Sequence, residues 1–181
     1  MSYIGFFGLT GNPPHFSHCH VIREAIKQCN IVYISLVYKH PFGKSFIDYH
    51  HRQKMLDIIL KEYLSPEELK KIKILEIDKE YCEKTRQVPY SYNLLNVLKE
   101  TEPDNQFSLV IGEDNYHPET WKRFYKYNEI EREFSMIIIP EHELHSTQIR
   151  ELMKNKEINE EVIIKSCGND VFQYMKNNYL Y

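Results

Sequence analysis

The sequence has few cysteines and few glycines, and it lacks long apolar runs. Its 181 residues include 4 Cys and 6 Gly. The cysteines, at positions 19, 29, 82 and 167, are too widely spaced for a disulfide scaffold or a paired-cysteine metal site. No apolar run approaches the length of a membrane-spanning helix, and the first residues lack the basic and apolar segments of a signal peptide. We therefore expect a cytoplasmic protein with no membrane partner.

A surplus of positive charge is also missing. The chain has 23 Lys and Arg against 26 Asp and Glu, so its formal net charge is −3. A protein that binds nucleic acid non-specifically normally has a basic surface, so we expect no nucleic-acid partner. The length and the 42% of apolar residues suit a single domain over residues 1–181 with a buried core. Composition does not determine the oligomeric state, and a homo-oligomer stays one of the alternatives.

Short apolar runs alternate along the chain with longer amphipathic stretches. Continuous apolar runs rich in branched residues are typical of strands covered on both faces. The predicted strands are Tyr3–Phe7, Ile31–Val37, Ile72–Ile77, Phe107–Ile111 and Phe134–Ile139, and the last predicted helices are Gln148–Lys154, Glu160–Lys165 and Val171–Asn178. This alternation predicts an open α/β fold, in which ligands bind beyond the carboxyl ends of the strands.

A turn that contains Gly8, Thr10 and two histidines follows the first predicted strand. It leads directly into a predicted helix, and a helix N-terminus offers unpaired backbone N–H groups to an anion. His15 and His18, three residues apart, can face the same phosphate and stabilise charge on a transferring phosphoryl group. Ser17 is predicted to be the N-cap of this helix.

Two other interpretations of these histidines stay open. His15, His18, Cys19 and His20 are all of zinc-ligating types, but adjacent helical residues point in different directions and no second ligand cluster of the finger type follows. The histidines could equally be ordinary turn residues, and the His-x-x-His spacing alone favours that interpretation. We predict no protein ligands to a metal.

The turn resembles the G-x-F-x-P-x-H-x-G-H motif of the nucleotidylyltransferase superfamily, and in particular its bacterial nicotinate (nicotinamide) mononucleotide adenylyltransferases. The matching residues are Phe7, Gly8, Thr10, Pro13, His15 and His18, and the differing ones are Leu9, Gly11, Asn12 and Ser17. Further segments resemble later motifs of the same family, in the same order along the chain.

Two of these later segments resemble phosphate-binding parts of the family. The loop His40–Lys44 carries Lys44, a mobile cation that suits ATP phosphates, although an ordinary solvated lysine fits the sequence as well. The segment Leu144–Arg150 resembles the family's I-S-x-T-x-[IV]-R signature, with Leu144 and His145 as departures. The resemblance implies that Ser146, Thr147 and Arg150 bind the ATP phosphates. Arg150 has a planar fork that fits phosphate oxygens, and the alternative is a plain capped helix with a surface arginine.

Two more segments resemble parts that contact the nucleotides. Val110–Asp114 is similar to the family's I-I-G-x-D, in which Gly112 lets a ligand approach closely and Asp114 accepts hydrogen bonds or orients the metal–phosphate group. Trp121 follows this loop, where the family has a tryptophan that stacks on the pyridine ring. A tryptophan that only fills the core is the alternative.

A further segment is similar to the family's S-Y-T, and the resemblance implies that it contacts the mononucleotide. Its residues here are Ser91, Tyr92 and Asn93. Ser91 is also predicted to be the N-cap of the following helix. Arg52 begins a segment similar to the family's R-x-x-M-L helix, and the closing stretch from Val171 resembles the family's last helix.

The resemblance implies a single Rossmann-like, doubly wound parallel sheet of order 3-2-1-4-5, with a C-terminal helical part at 143–181. It implies transfer of AMP from ATP to nicotinate or nicotinamide mononucleotide in NAD biosynthesis, with Mg²⁺ bound through the ATP phosphates. His15, His18 and Arg150 would be the catalytic residues. The alternatives are another nucleotidylyltransferase, such as a pantetheine-phosphate adenylyltransferase or a cytidylyltransferase, and a catalytically weak dinucleotide-binding sensor.

Overall fold

A single parallel sheet organises the chain in a computed structural model that describes residues 1–39, 43, 45–140, 146–154 and 159–181. Its strands are β1 (Tyr3–Leu9), β2 (Ile31–Leu36), β3 (Ile72–Leu75), β4 (Gln106–Gly112) and β5 (Ser135–Ile139). They lie in the order β3-β2-β1-β4-β5, and every neighbouring pair is parallel. The predicted fold class and strand order are therefore confirmed.

Helices connect the strands and form the last part of the chain. The described residues contain α1 (Phe16–Ile26), α2 (Tyr49–Tyr63), α3 (Pro66–Leu69), α4 (Ile77–Thr85), α5 (Ser91–Thr101), α6 (Glu113–Tyr116), α7 (Pro118–Trp121), α8 (Tyr127–Glu133), α9 (Ser146–Lys154), α10 (Glu160–Cys167) and α11 (Asn169–Asn177). The last three agree with the predicted helices to within two residues at each end. None of the described helices has the length and apolarity that crossing a membrane requires.

The alternation of side chains along β1 divides the core into two clusters, one on each face of the sheet. Ile4 and Phe6 belong to the cluster that includes residues of α5 and α8. Phe7 and Leu9 belong to the cluster that includes residues of α1, α2, α10 and α11. Both faces are covered, as the continuous apolar runs predict.

The two central strands part towards their carboxyl ends. The pairing of β1 with β4 stops at Phe6 and Leu109, although β1 remains paired with β2 as far as Leu9. On the other side, β4 remains paired with β5 as far as Gly112. A crevice therefore opens between β1 and β4, at the point where the strand order reverses.

Two predicted helix caps are wrong. Helix α1 begins earlier than predicted, with His15 as its N-cap in an extended conformation and Ser17 inside the helix. In α5 the N-cap is Tyr90, and Ser91 is the first helical residue. In both cases a side chain in the first turn accepts a hydrogen bond from the N-cap backbone N–H, which makes the helix start one or two residues earlier.

Candidate active site

A cleft of about 770 Å³ occupies the crevice between β1 and β4. This volume lies in the range typical of small-molecule sites in proteins. The predicted site residues that line it are Gly8, Thr10, His15, His18, Ser91, Gly112, Asp114, Ser146 and Thr147. They come from segments far apart in the sequence, and the fold brings them to one place.

The remaining predicted site residues lie elsewhere. Tyr92, Asn93, Trp121 and Arg150 are not among the described residues that line the cleft. Lys44 is outside the described residues, so its predicted role stays a prediction.

The two histidines of the first turn pack against each other. The ring centroids of His15 and His18 are 3.8 Å apart, with the ring planes tilted by 38°. The Nδ1 atom of His18 accepts a hydrogen bond from the backbone N–H of His15 at 3.1 Å. This bond fixes the His18 ring at the start of α1 and uses Nδ1, so that Nε2 is the ring nitrogen not engaged by the His15 backbone.

Burial keeps His18 uncharged at neutral pH. It lowers the pKa of His18 to about 4 and outweighs the opposing effect of backbone hydrogen bonding with His15. Because Nδ1 accepts a hydrogen bond, the single proton of the neutral ring is on Nε2. His18 is therefore a neutral N–H donor at the wall of the cleft, a group suited to a phosphate oxygen.

Helix α9 is held against the first turn by side chains from its own first turns. Ser146 Oγ donates a hydrogen bond to the carbonyl of Pro13 at 2.9 Å. Arg150 donates from Nη1 to the carbonyl of Asn12 at 2.7 Å and from Nη2 to Thr147 Oγ1 at 2.9 Å. The N-terminus of α9 and the start of α1 therefore face the same part of the cleft.

Arg52 is a buried residue whose position the sequence did not reveal. It is only 1% exposed and donates hydrogen bonds to the carbonyls of Thr10 and Val37, both at 2.8 Å. A third bond reaches the carbonyl of Ile47 at 3.0 Å. The guanidinium thus joins the carboxyl ends of β1 and β2. One signal was present, because Arg52 lies on the same apolar stripe of α2 as Met55 and Ile59.

Asp78 is a second residue of the cleft that sequence reasoning missed. Its side chain is buried, lines the cleft and accepts a hydrogen bond from the backbone N–H of Tyr38 at 2.7 Å. Burial raises the pKa of Asp78 to about 6, although backbone hydrogen bonds and nearby Arg52 act in the opposite direction. An acidic residue in the first turn of a helix is usually a surface residue, so no local signal identified it.

Aromatic side chains form the wall of the cleft beside Ser91. Tyr90, Phe124 and Tyr125 line it, and the rings of Tyr90 and Tyr125 are 4.7 Å apart. Flat rings at a cleft wall provide a surface on which an aromatic ligand can stack.

Trp121 lies behind this wall in the core. It is 4% exposed, and its ring centroid is 4.9 Å from that of Phe124. Its Nε1 donates a hydrogen bond to Glu131 at 2.8 Å. Phe124 thus lies at the cleft surface. Trp121 lies in the core, as the alternative interpretation of this residue predicts.

Tyr92 and Asn93 make contacts within the protein. The hydroxyl of Tyr92 donates to the carboxylate of Glu133 at 3.2 Å. Asn93 Oδ1 accepts from the backbone N–H of Tyr90 at 3.1 Å, which fixes the start of α5. Their contact with a mononucleotide stays a prediction.

The two glycines of the site have different surroundings. A Cβ atom added at Gly112 would lie 2.4 Å from Oδ1 of Asp114, so the glycine leaves room for that carboxylate. A Cβ atom added at Gly8 would have no atom within 4 Å from any described residue other than Gly8 itself and its two chain neighbours. A side chain at position 8 would therefore extend into the cleft without disturbing the fold.

The zinc interpretation of the first turn requires several ligating side chains close together. The described part of the chain contains no group of three or more His, Cys, Asp or Glu side chains placed to hold a metal ion. Cys19 is completely buried, and burial raises the pKa of its thiol to about 12. In this structure Cys19 therefore remains a thiol at neutral pH.

The fold and the cleft together define the class of the protein. A parallel sheet opens at its switch point onto two helix N-termini and two imidazoles, which are groups of the kind that bind phosphate. The chain is therefore a doubly wound α/β protein with a cleft between its central strands.

Comparison with known proteins identifies the family. Residues 6–152 match the model of the cytidylyltransferase-like family, and the chain belongs to this family. The chain is 26% identical to the nicotinate-nucleotide adenylyltransferase of Bacillus subtilis (strain 168) over 205 residues, covering 100% of this chain and 99% of that protein. The predicted membership of the nucleotidylyltransferase superfamily is confirmed.

Solved structures show the same fold. One is Plasmodium falciparum nicotinic acid mononucleotide adenylyltransferase complexed with NaAD, with a TM-score of 0.81, 18% identity and coverage of 100% of this chain and 98% of that chain. Another is a bifunctional NMN adenylyltransferase/ADP ribose pyrophosphatase from Francisella tularensis complexed with AMP and a Mn ion. Its TM-score is 0.61 at 20% identity, with coverage of 99% of this chain and 54% of that chain.

Proposed function

We propose that this protein transfers AMP from ATP to nicotinate mononucleotide, forming the dinucleotide and pyrophosphate in NAD biosynthesis. The observation that carries the proposal is the meeting of His15, His18 and the N-terminus of α9 in one cleft at the switch point. The full-length similarity to the Bacillus subtilis nicotinate-nucleotide adenylyltransferase supports the reaction and the acceptor.

The reaction needs no nucleophile from the protein. A phosphate oxygen of the mononucleotide attacks the α-phosphorus of ATP and forms the new P–O bond. The bond from the α-phosphorus to the oxygen that bridges it to the β-phosphate breaks, and that oxygen leaves with the electron pair as part of pyrophosphate. Catalysis therefore rests on in-line positioning of two phosphates and on stabilisation of the charge that develops between them.

His18 is the residue that we assign to the α-phosphate. Its Nε2–H is a neutral donor held in place by the bond from His15 N–H to Nδ1. A fixed donor stabilises developing charge without a cost of reorientation during the reaction. His15, in ring contact with His18, would hold the neighbouring phosphate oxygens.

The N-terminus of α9 is the part that we assign to the leaving pyrophosphate. Ser146 and Thr147 line the cleft there and supply hydroxyls and helix N-terminal amides. Arg150 adds positive charge from beside Thr147, to which it donates a hydrogen bond. Mg²⁺ would enter with ATP as part of the substrate, and Lys44 would assist at the phosphates.

The aromatic wall is the part that we assign to the pyridine ring. Tyr90, Phe124 and Tyr125 line the cleft beside Ser91, and their rings offer a surface on which a pyridine ring can stack. In this proposal Trp121 supports Phe124 from behind. Gly112 and Asp114, at the end of β4, would contact the nucleotide ribose groups.

An acceptor panel tests the proposal. Pyrophosphate release is measured with ATP and Mg²⁺ together with nicotinate mononucleotide, nicotinamide mononucleotide or pantetheine phosphate, and with CTP in place of ATP. We expect the largest kcat/KM with ATP and nicotinate mononucleotide. Release only with pantetheine phosphate or only with CTP would assign another transferase reaction. No release with any pair, together with tight binding of the dinucleotide, would favour a sensor.

A further inference from the structure

A long-range hydrogen bond joins the last residue of the printed sequence to the first turn of the cleft. The hydroxyl of Tyr181 donates to Oδ1 of Asn12 at 2.7 Å. Burial raises the pKa of Tyr181 well above its usual range, so the hydroxyl keeps its proton. Asn12 is itself buried, at 6% exposed. Burial of the acceptor limits competition by water for this hydrogen bond.

Asn12 is the point at which three parts of the chain meet. Besides the hydroxyl of Tyr181, its Oδ1 accepts a hydrogen bond from the backbone N–H of Ile47 at 3.4 Å. Its backbone carbonyl accepts the 2.7 Å bond from Arg150. The turn is thus held from α9, from the segment before α2 and from Tyr181. Of the two bonds to Asn12 Oδ1 within the described ranges, the one from Tyr181 is the shorter.

The chain between Asn12 and the histidines transmits the position of Asn12. Only Pro13 and Pro14 separate it from His15, and the ring of each proline fixes its own φ angle. On the other side, Gly11 has a φ of +57°, a conformation in which glycine gives the backbone little restraint. A shift of Asn12 therefore moves His15, and with it the start of α1, more readily than it moves β1.

The hydroxyl of Tyr181 is not what anchors the end of the chain. Leu180 is buried in the cluster that contains Val171 and Phe172, and its backbone N–H bonds to the carbonyl of Met175 at 3.0 Å. Removing one hydroxyl leaves this packing intact. The bond to Asn12 therefore has a role apart from docking the last helix.

We propose that Tyr181 is a positioning residue, which acts through Asn12 to set the place of His15 and His18 against the phosphate of the ligand. Its effect on rate rests on the proposed function, whereas its effect on the position of the turn does not.

The first test compares Tyr181→Phe with the matched control Tyr179→Phe, since Tyr179 is 95% exposed. Loss of one hydrogen bond predicts that kcat falls about three- to tenfold in Tyr181→Phe while KM for the mononucleotide stays unchanged. Thermal unfolding of each variant shows that the assay is run on folded protein. A kcat equal to that of Tyr179→Phe would overturn the proposal.

A double variant tests the route through Asn12. If Tyr181 acts through the Asn12 side chain, Tyr181→Phe has no further effect on kcat in an Asn12→Ala background. Asn12→Asp keeps an acceptor oxygen for the hydroxyl and should retain more activity than Asn12→Ala. Losses that multiply in the double variant would contradict the route.

Hydrogen exchange separates this inference from the proposed function. Exchange of the backbone amides of residues 11–18 should be faster in Tyr181→Phe than in wild type and unchanged in Tyr179→Phe. This measurement requires no turnover, so it decides the positional role even if the acceptor panel gives no pyrophosphate. Equal exchange in all three proteins would overturn the inference and leave the proposed function standing.

Discussion

At the residue scale, the chemistry proposed for the cleft depends on the protonation state of His18, that is, on whether its ring is neutral and which ring nitrogen carries the proton. A cationic imidazole would attract phosphate more strongly, but it would have to be desolvated in a buried position. The structure instead has a neutral ring whose pKa is about 4 and whose Nδ1 is used by the His15 backbone. The Nε2–H donor that remains has one fixed direction, which favours the transition state over loosely held ground states.

Truncation of His18 tests this role. His18→Ala should lower kcat by about a hundredfold, because the contact is strongest in the transition state, and should change KM for ATP much less. His20→Ala is the matched control, because His20 lies on the same helix but is not among the described residues that line the cleft. Steady-state pyrophosphate release measures both. A variant with unchanged kcat and weaker ATP binding would show that His18 only binds.

The neutral state of His18 also predicts a pH dependence of stability. Its pKa is about 4 when folded and near 6.5 when unfolded, so between these values the unfolded chain binds more protons. The contribution is therefore complete above pH 6.5 and is lost as the pH falls towards 4. Relative to His18→Asn, wild type should lose about 2 kcal/mol of unfolding free energy between pH 7 and 4.5, measured by urea titration.

Asp78 gives the control for that experiment because its shift has the opposite sign. Burial raises its folded pKa to about 6, so the folded chain binds the extra proton and acidification from pH 6 to 4 adds stability. In Asp78→Asn this gain is absent, so the unfolding free energy lost between pH 7 and 4.5 should be larger than in wild type. Equal pH dependence in wild type and His18→Asn would show that folding does not lower the pKa of His18.

At the scale of elements, a buried arginine holds the carboxyl ends of two strands beside the cleft. Arg52 donates hydrogen bonds to the carbonyls of Thr10 and Val37 at the ends of β1 and β2. Its guanidinium carbon lies 4.4 Å from the ring centroid of Phe46. Among the described residues, no carboxylate forms an ion pair with it. Its charge is thus offset by carbonyl dipoles and, at longer range, by the carboxylates of Asp78 and Asp48, and it lies close to the first turn of the cleft.

Replacing this guanidinium by an ammonium tests its structural role. Arg52→Lys keeps the charge but cannot reach all three carbonyls, so we expect a loss of about 2 to 4 kcal/mol in the free energy of unfolding. Arg132→Lys is the matched control, since Arg132 is exposed and donates only to the carbonyl of Asn128 among its hydrogen bonds in the described structure. Chemical denaturation gives both values, and equal stability of the two variants would contradict the role.

At the scale of the whole molecule, the separation of β1 from β4 puts both proposed nucleotides in one cleft. The phosphate-binding parts and the aromatic wall line the same 770 Å³ space. The positively charged groups that would bind ATP are therefore confined to the cleft and are not spread over the surface. This agrees with a chain whose formal net charge is −3.

Ligand binding should therefore stabilise the folded molecule as a unit. Dinucleotide at a hundred times its Kd adds about 2.7 kcal/mol, which corresponds to a rise in Tm of about 5 to 10 °C for a chain of this size. Gly8→Val should fold normally and show no rise, because the added side chain occupies the cleft. Thermal scans with and without the dinucleotide measure this, and an equal rise in Gly8→Val would place the ligand elsewhere.

The sequence predicted the parts of the protein that depend on local pattern. Continuous branched runs identified the strands, and the residues that follow β1, β4 and β5 identified most of the cleft. Ser17 and Ser91 were wrongly predicted as helix caps, because histidine and asparagine side chains one turn later accept the N-cap N–H and begin each helix earlier. Such reciprocal bonds depend on rotamers that a residue type does not specify.

What the sequence by itself determined is the family, the strand order that its motifs imply and the chemical types available to bind phosphate. Only the tertiary structure decided that Arg52 and Asp78 are buried beside the cleft, that Phe124 rather than Trp121 faces it, and that Tyr181 bonds to Asn12. The reason is physical. Local periodicity sets which face of an element is apolar, but the burial of a polar group and its partner depends on residues brought together from far along the chain.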